Sequence, residues 1–280
     1  MFPTQFGVLM DELSAEAAAA GIEDFRINVG EYGLFPSVDD DAPYPGQETM
    51  PGGSYIAGML NSFVRQSETV VEASQTWVPV RMFPPEFTES PPDPNPLAPA
   101  GSVFGLYSSV FETNAEWHAV DTDVGGDGRN IPDTGPRIRR MEDVPYVDAA
   151  AMQNKRGREL CVFLTNRNLR EQSEVTIELP KRYAGKSVAI TRHRATASER
   201  PLPHDFQDSW EEPDVYTVDT AIESVDRDGS LTLMVGPASV VRLLVDNDHG
   251  RPATIDDDGV WSGLNGSDSD CRRGRRRPSR

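Results

Sequence analysis

Apolar residues recur along this chain with two different periods, and the change from one to the other divides it. Between Phe6 and Ala20, residues Leu9, Met10, Leu13 and Ala17 fall on one helical face, and Gly21 follows where such a helix should stop. Phe25, Ile27 and Val29 then alternate with polar residues, which predicts a strand ending at Gly30-Glu31-Tyr32-Gly33, where two glycines bracket a carboxylate. The stretch Asp39 to Gly46 is too polar and proline-rich to be packed and reads as a loop. Ile56, Met59, Leu60, Phe63 and Val64 have the spacing of an amphipathic helix, and Val70 to Val78 reads as a second strand. Strand, helix, strand is a βα unit, with parallel pairing and helices covering the sheet. Seven prolines fall in the sixteen residues from Pro84 to Pro99, a long loop that leaves the same end of the sheet as the loop after Glu31. Val103, Leu106, Tyr107 and Val110 predict a further helix running to about Glu116.

From about His118 the period changes to two. Short strands are expected at Val144 to Ala151, Glu159 to Thr165, Glu174 to Leu179, Ser187 to Thr191, Val215 to Val218, Leu231 to Val235 and Val240 to Val245. Turn residues such as Arg227-Asp228-Gly229 separate them, the pattern of an antiparallel β-sandwich. After Val245 the chain is dominated by Asp, Gly, Ser and Arg, with six arginines between Arg272 and Arg280, and reads as a disordered tail. The expected organisation is an α/β part over 1–117, an all-β part over 118–246 and the arginine-rich tail over 247–280.

Composition changes the surface rather than the fold. Acidic residues outnumber basic ones 45 to 27, for a formal net charge of -18, and Lys155, Lys181 and Lys186 are the only lysines. Such an acid excess with scarce lysine matches a halophile's surface, where carboxylates keep the protein dispersed in strong salt. It also argues against a nucleic-acid partner, which needs a basic footprint. Cys161 and Cys271 make no disulfide framework, and neither has the setting of a reactive thiol. His118, His193, His204 and His249 lack metal-ligand spacing, so no metal or other cofactor is expected. No apolar run approaches a membrane span and the N-terminus lacks the layout of a signal peptide, so the expected location is the cytoplasm, with no membrane partner.

The order of these pieces resembles the C-terminal half of the α-L-arabinofuranosidases of glycoside hydrolase family 51, and several local phrases carry the resemblance. Val144-Pro145-Tyr146-Val147-Asp148-Ala149-Ala150-Ala151 and Leu160-Cys161-Val162-Phe163-Leu164-Thr165-Asn166-Arg167-Asn168-Leu169 are similar to sandwich segments of that family, as is Ser209-Trp210-Glu211-Glu212-Pro213-Asp214-Val215. Gly30-Glu31-Tyr32-Gly33 is similar to the phrase that carries the family's nucleophilic glutamate at the end of the seventh barrel strand. Glu72-Ala73-Ser74-Gln75-Thr76-Trp77-Val78 shares its Ala and Gln with the eighth-strand phrase, whose glutamine lies close to the sugar.

The resemblance implies the last βα units of a (β/α)8 barrel followed by a jelly-roll-like sandwich. It makes Glu31 the nucleophile candidate, with Tyr32 and Gln75 as substrate-binding candidates, in retaining hydrolysis of terminal α-L-arabinofuranosides. Retaining glycosidases need a second carboxyl group about 5 to 5.5 Å from the nucleophile to protonate the leaving oxygen. In the family an Asn-Glu phrase on an earlier strand supplies it, and no Asn-Glu occurs in this sequence. Glu72 stands three residues from Gln75, so on a regular strand the two face opposite sides. A closed barrel has eight βα units and about two are legible here. The partners this implies are an arabinofuranoside substrate, a separate polypeptide bringing the N-terminal part of the barrel, and further copies of the chain. The alternative expectation is a non-catalytic carbohydrate-associated sandwich module or a remnant of a split gene.

Overall fold

The computed structural model describes residues 3–33, 50–75, 99–113, 115–133, 138–195 and 216–246. The loops expected at 39–46 and 84–98, the end of the second expected strand at 76–78 and the arginine-rich tail lie outside those residues. Helix α1, Pro3–Ala19, begins on a proline, which is tolerated in a first turn, and ends on Gly21 at φ 78°. There the Ile22 N–H donates to the Ala17 carbonyl at 2.9 Å and the Gly21 N–H to Ala18 at 3.0 Å, the paired bonds that a left-handed C-terminal residue permits.

Strands β1, Ile27–Tyr32, and β2, Val70–Gln75, pair in parallel, and helix α2, Met50–Arg65, is their crossover. One face of this pair is closed by α1 and α2 through Phe6, Met10, Ile56 and Met59. Phe63 of α2 lies edge-on to Phe6 and to Tyr32, with centroids 5.1 and 4.9 Å apart. Helix α3, Pro99–Ser108, passes into a 3-10 turn over Ser109–Thr113, ending its α-helical part earlier than the apolar spacing predicts. The Ser108 and Ser109 hydroxyls donate back to the Gly105 and Leu106 carbonyls at 3.1 and 2.9 Å, competing with the helical ladder at that point.

The rest is strand: β3 Trp117–Val120, β4 Gly128–Ile131, β5 Met141–Pro145, β6 Val147–Asn154, β7 Glu159–Asn166, β8 Ser173–Glu178, β9 Ser187–Ala195, β10 Tyr216–Ser224, β11 Ser230–Val235 and β12 Val240–Asp246. A six-stranded sheet has the order β10-β9-β12-β7-β6-β3, with pairs β11-β8 and β4-β5 beside it. The single strand expected over 144–151 is divided, because Pro145 has no N–H for a ladder; β5 pairs with β4, whereas β6 joins the large sheet. Strand β9 outruns its expected end because Arg192, polar and unremarkable in sequence, is held opposite Asp219 of β10. Strands β3 and β4 carry no apolar alternation: each is four residues long, with Trp117 and Val120 half-buried at the two ends of β3 and Ile131 the one buried residue of β4.

The large sheet is covered on both faces. Leu160, Val162 and Leu164 of β7, with Val241, Leu243 and Val245 of β12, pack against Leu231, Leu233 and Val235 of β11. The alternate residues Cys161, Phe163, Val240 and Leu244 pack instead against Ala57 of α2 and Val103, Leu106 and Tyr107 of α3. Burial from two sides explains why β7 is buried at every position although it belongs to an antiparallel sheet. Residues on both sides of position 118 therefore share one core.

His193 of β9 is buried where α3 crosses the sheet, its Nδ1 lying 3.2 Å from the Ser102 hydroxyl. Desolvation, with Arg242 nearby, pulls the imidazole down to about 4, and Asp219 opposes the shift only weakly. The unfolded chain therefore binds this proton more readily than the folded one between pH 6.5 and about 4. Stability is expected to be intact above pH 6.5 and to fall by roughly 3 kcal/mol as pH drops through that window. His193→Gln should flatten that part of the pH dependence of urea unfolding; an unchanged slope would place its origin in other groups.

Candidate functional site

The candidate site lies at the C-terminal end of β1. Ile27 and Val29 point toward the helices and Asn28 is exposed, as a regular half-buried strand requires. Continued alternation would turn Glu31 toward the helices with Ile27 and Val29. The register shows why it does not: Val29 is opposite Ala73 and Tyr32 opposite Gln75, so three steps along β1 match two along β2. The extra residue is a bulge at Gly30-Glu31. Both are exposed, and the buried phase resumes at Tyr32. The bulge therefore turns the Glu31 carboxylate to the open face while driving the Tyr32 ring onto Phe63.

Glu72 lies on that same open face, two residues before the level of Ser74, and its Oε2 accepts a hydrogen bond from Asn28 Nδ2 at 2.7 Å. The open face thus carries Asn28, Glu31 and Glu72. Gln75 is half-buried, opposite Tyr32 and in phase with Ala73, which packs toward the helices. The structure sets Tyr32 opposite Gln75 on the helix-facing side of the strand pair, while Glu31 and Glu72 are both exposed on the other side, Glu72 at the level of Asn28. Burial pushes the Tyr32 hydroxyl well above its ordinary range, keeping it a neutral hydrogen-bonding group. Asn28 and Glu72 were missed as a pair; the available signal was that each is a polar position flanking an apolar one on a predicted strand.

A second polar group fixes the element that joins β1 to β2. Asp148 at the start of β6 accepts from Arg65 Nη1 at 3.0 Å and from Asn61 Nδ2 at 3.2 Å, both on α2. The Tyr107 hydroxyl donates to Asn61 Oδ1 at 2.6 Å, and its ring stacks on Phe163 at 3.8 Å. Arg65 also donates to the Ala149 carbonyl. Elsewhere, burial pushes the Cys161 thiol up to about 12, so it is an inert core residue. Among the described residues no cluster of His, Cys, Asp or Glu is arranged to hold a metal ion, and no helix is long and apolar enough to cross a membrane.

No protein-family model matches the sequence, and no curated protein matches it. Solved structures do match its fold. The α-L-arabinofuranosidase of Thermotoga maritima, in its arabinose complex, superposes with a TM-score of 0.61 at 19% identity, over 87% of this chain and 47% of that one. The thermostable GH51 α-L-arabinofuranosidase of Thermotoga petrophila RKU-1 gives 0.59 at 18% identity over 87% and 47%. The GH51 arabinofuranosidase of Xanthomonas axonopodis pv. citri gives 0.55 at 16% over 86% and 46%. The chain spans less than half the length of each of these structures. At these identities the likeness is one of fold.

Proposed function

We propose that the chain is the C-terminal portion of a glycoside hydrolase of the arabinofuranosidase type, with β1 and β2 as the last strands of a (β/α)8 barrel and Glu31 as its nucleophile. The observation that carries this reading is the bulge: a strand whose alternation would hide Glu31 is interrupted so that the carboxylate reaches the open face at the strand's C-terminal end. Barrel enzymes place their catalytic groups at that end. In retaining hydrolysis the Glu31 carboxylate attacks the anomeric carbon as an acid protonates the departing oxygen; water then attacks the glycosyl ester and Glu31 leaves as carboxylate. The acid comes from strands beyond those described, in a polypeptide that completes the barrel. Tyr32 acts through Phe63, holding the strand end against α2, and Gln75, opposite Tyr32 on the same helix-facing side, supports the strand end that carries Glu31 rather than touching the sugar. The substrate class is terminal α-L-arabinofuranosides.

The test is a mechanism-based arabinofuranosyl label applied to the chain assembled with the complementing barrel half, followed by peptide mass mapping. Label is expected on the peptide containing Glu31. Label on another carboxylate, or inverted product configuration, would remove Glu31 from the role. A second reading, a carbohydrate-associated module without catalysis, is favoured by the closed two-sided core of the large sheet. It would be supported by glycan binding that survives Glu31→Gln in an assembly that never turns over substrate.

A further inference from the structure

We propose that β10 is a self-association edge, through which two copies of the chain pair antiparallel about Thr220 and continue the six-stranded sheet across a twofold axis. Among the described residues β10 closes one end of that sheet, and its nine residues pair with β9 without a register shift, so its outer edge is long and regular. Edge strands are ordinarily protected by lysine, proline, bulges or short length. Tyr216–Ser224 has no lysine, no proline and no bulge, and Val218 and Ile222, opposite His193 and Ala189 on the face where α3 packs, are still 50% and 48% exposed.

The electrostatics select a second copy as the occupant. A chain of net charge -18 repels itself over most of its surface, yet this edge is locally neutral. Arg192 pairs with Asp219 at 3.4 Å and with Glu223 at 3.0 Å, and Arg194 pairs with Asp219 at 2.9 Å. Antiparallel pairing about Thr220 also sets no two like charges opposite one another. Val218 then faces Ile222 of the second copy, Asp219 faces Ala221, and Thr220 faces itself. Apolar β-branched pairs of this kind are the favourable cross-strand contacts of a sheet.

Sedimentation of the full chain over a range of concentrations, at low and high salt, is expected to show a reversible dimer of the 30.8 kDa chain. Val218→Lys with Ile222→Lys, both at exposed positions, should weaken dimerisation about 100-fold or more while leaving the thermal midpoint of the dilute monomer unchanged. Directly opposed strand residues have Cα atoms about 4.5 to 5.5 Å apart, within disulfide reach. In a Cys271→Ser background, Thr220→Cys should therefore crosslink two copies under mild oxidation, while Asp228→Cys, exposed in the turn before β11, should not. A monomer at every concentration overturns the proposal. So does a dimer that ignores the lysine pair and leaves Thr220→Cys uncrosslinked, which would place the contact elsewhere.

Discussion

Glu31→Gln is expected to lower turnover of an aryl α-L-arabinofuranoside by roughly 10⁴-fold or more in the complemented assembly, because a carboxamide neither attacks the anomeric carbon nor departs from a glycosyl intermediate. The amide keeps the size of the side chain and Glu31 is exposed, so the fold should be unaffected. Substitutions at the flanking positions separate chemistry from positioning. Gln75→Ala should lower kcat about ten- to a hundredfold with the covalent route intact. Tyr32→Phe removes a buried hydroxyl but keeps the ring on Phe63, and should change turnover less than tenfold. Glu72→Gln shares the open face and keeps its acceptor oxygen for Asn28. If Glu72→Gln proved as damaging as Glu31→Gln, the second carboxylate would be within this chain. Steady-state rates for the four variants, with circular dichroism to confirm folding, make the comparison. Residual activity of Glu31→Gln within tenfold of the parent would remove Glu31 from the nucleophile role.

What the sequence made legible followed from strength of pattern. The helix from Met50 and the strands β7, β8, β11 and β12 emerged because burial on one or both faces writes a repeat into the residue types. β3 and β4 left no such trace, being four residues long, with only Trp117 and Val120 of β3 and Ile131 of β4 turned inward. The candidate strand end was legible as a phrase, Gly30-Glu31-Tyr32-Gly33, but its geometry was not. Period-two reading of Phe25, Ile27 and Val29 turns Glu31 inward, and only the pairing of β1 with β2 reveals the extra residue that turns it out. Gln75 and Tyr32 illustrate the converse. A resemblance assigns residue roles by position in a phrase, whereas the face on which a side chain emerges depends on register with a neighbouring strand. The three-layer arrangement was also hidden, because an apolar run such as that of β7 is the same whether its second face meets another sheet or a helix.

That arrangement gives Asp148, part of the phrase Val144 to Ala151, a physical role, and Asp148→Ala is expected to produce the largest loss of stability among single polar substitutions. Its side chain is 11% exposed and its carboxylate receives Arg65 and Asn61 from α2, while Asn61 in turn receives Tyr107 from α3. Removing it leaves a guanidinium that is 29% exposed without its ion-pair partner and the Asn61 amide without that acceptor. Losing one member of a buried pair costs about 3 to 5 kcal/mol, and the partial exposure of Arg65 places this case near the lower figure. For a chain of this size about 3 kcal/mol corresponds to a fall in Tm of roughly 6 to 12 °C. The change should be felt beyond β6. Because α2 is the crossover between β1 and β2, amide exchange should accelerate in α2 and those strands while β8 and β11, on the opposite face of the large sheet, stay protected. Asp148→Asn retains an oxygen for one of the two donors and should fall between the parent and the alanine variant. Urea unfolding and hydrogen exchange measure both effects. A loss below about 1 kcal/mol would show that Arg65 finds full compensation in the Ala149 carbonyl and solvent. Uniform acceleration across β8 and β11 would show instead that the helices and both sheets open as a single unit.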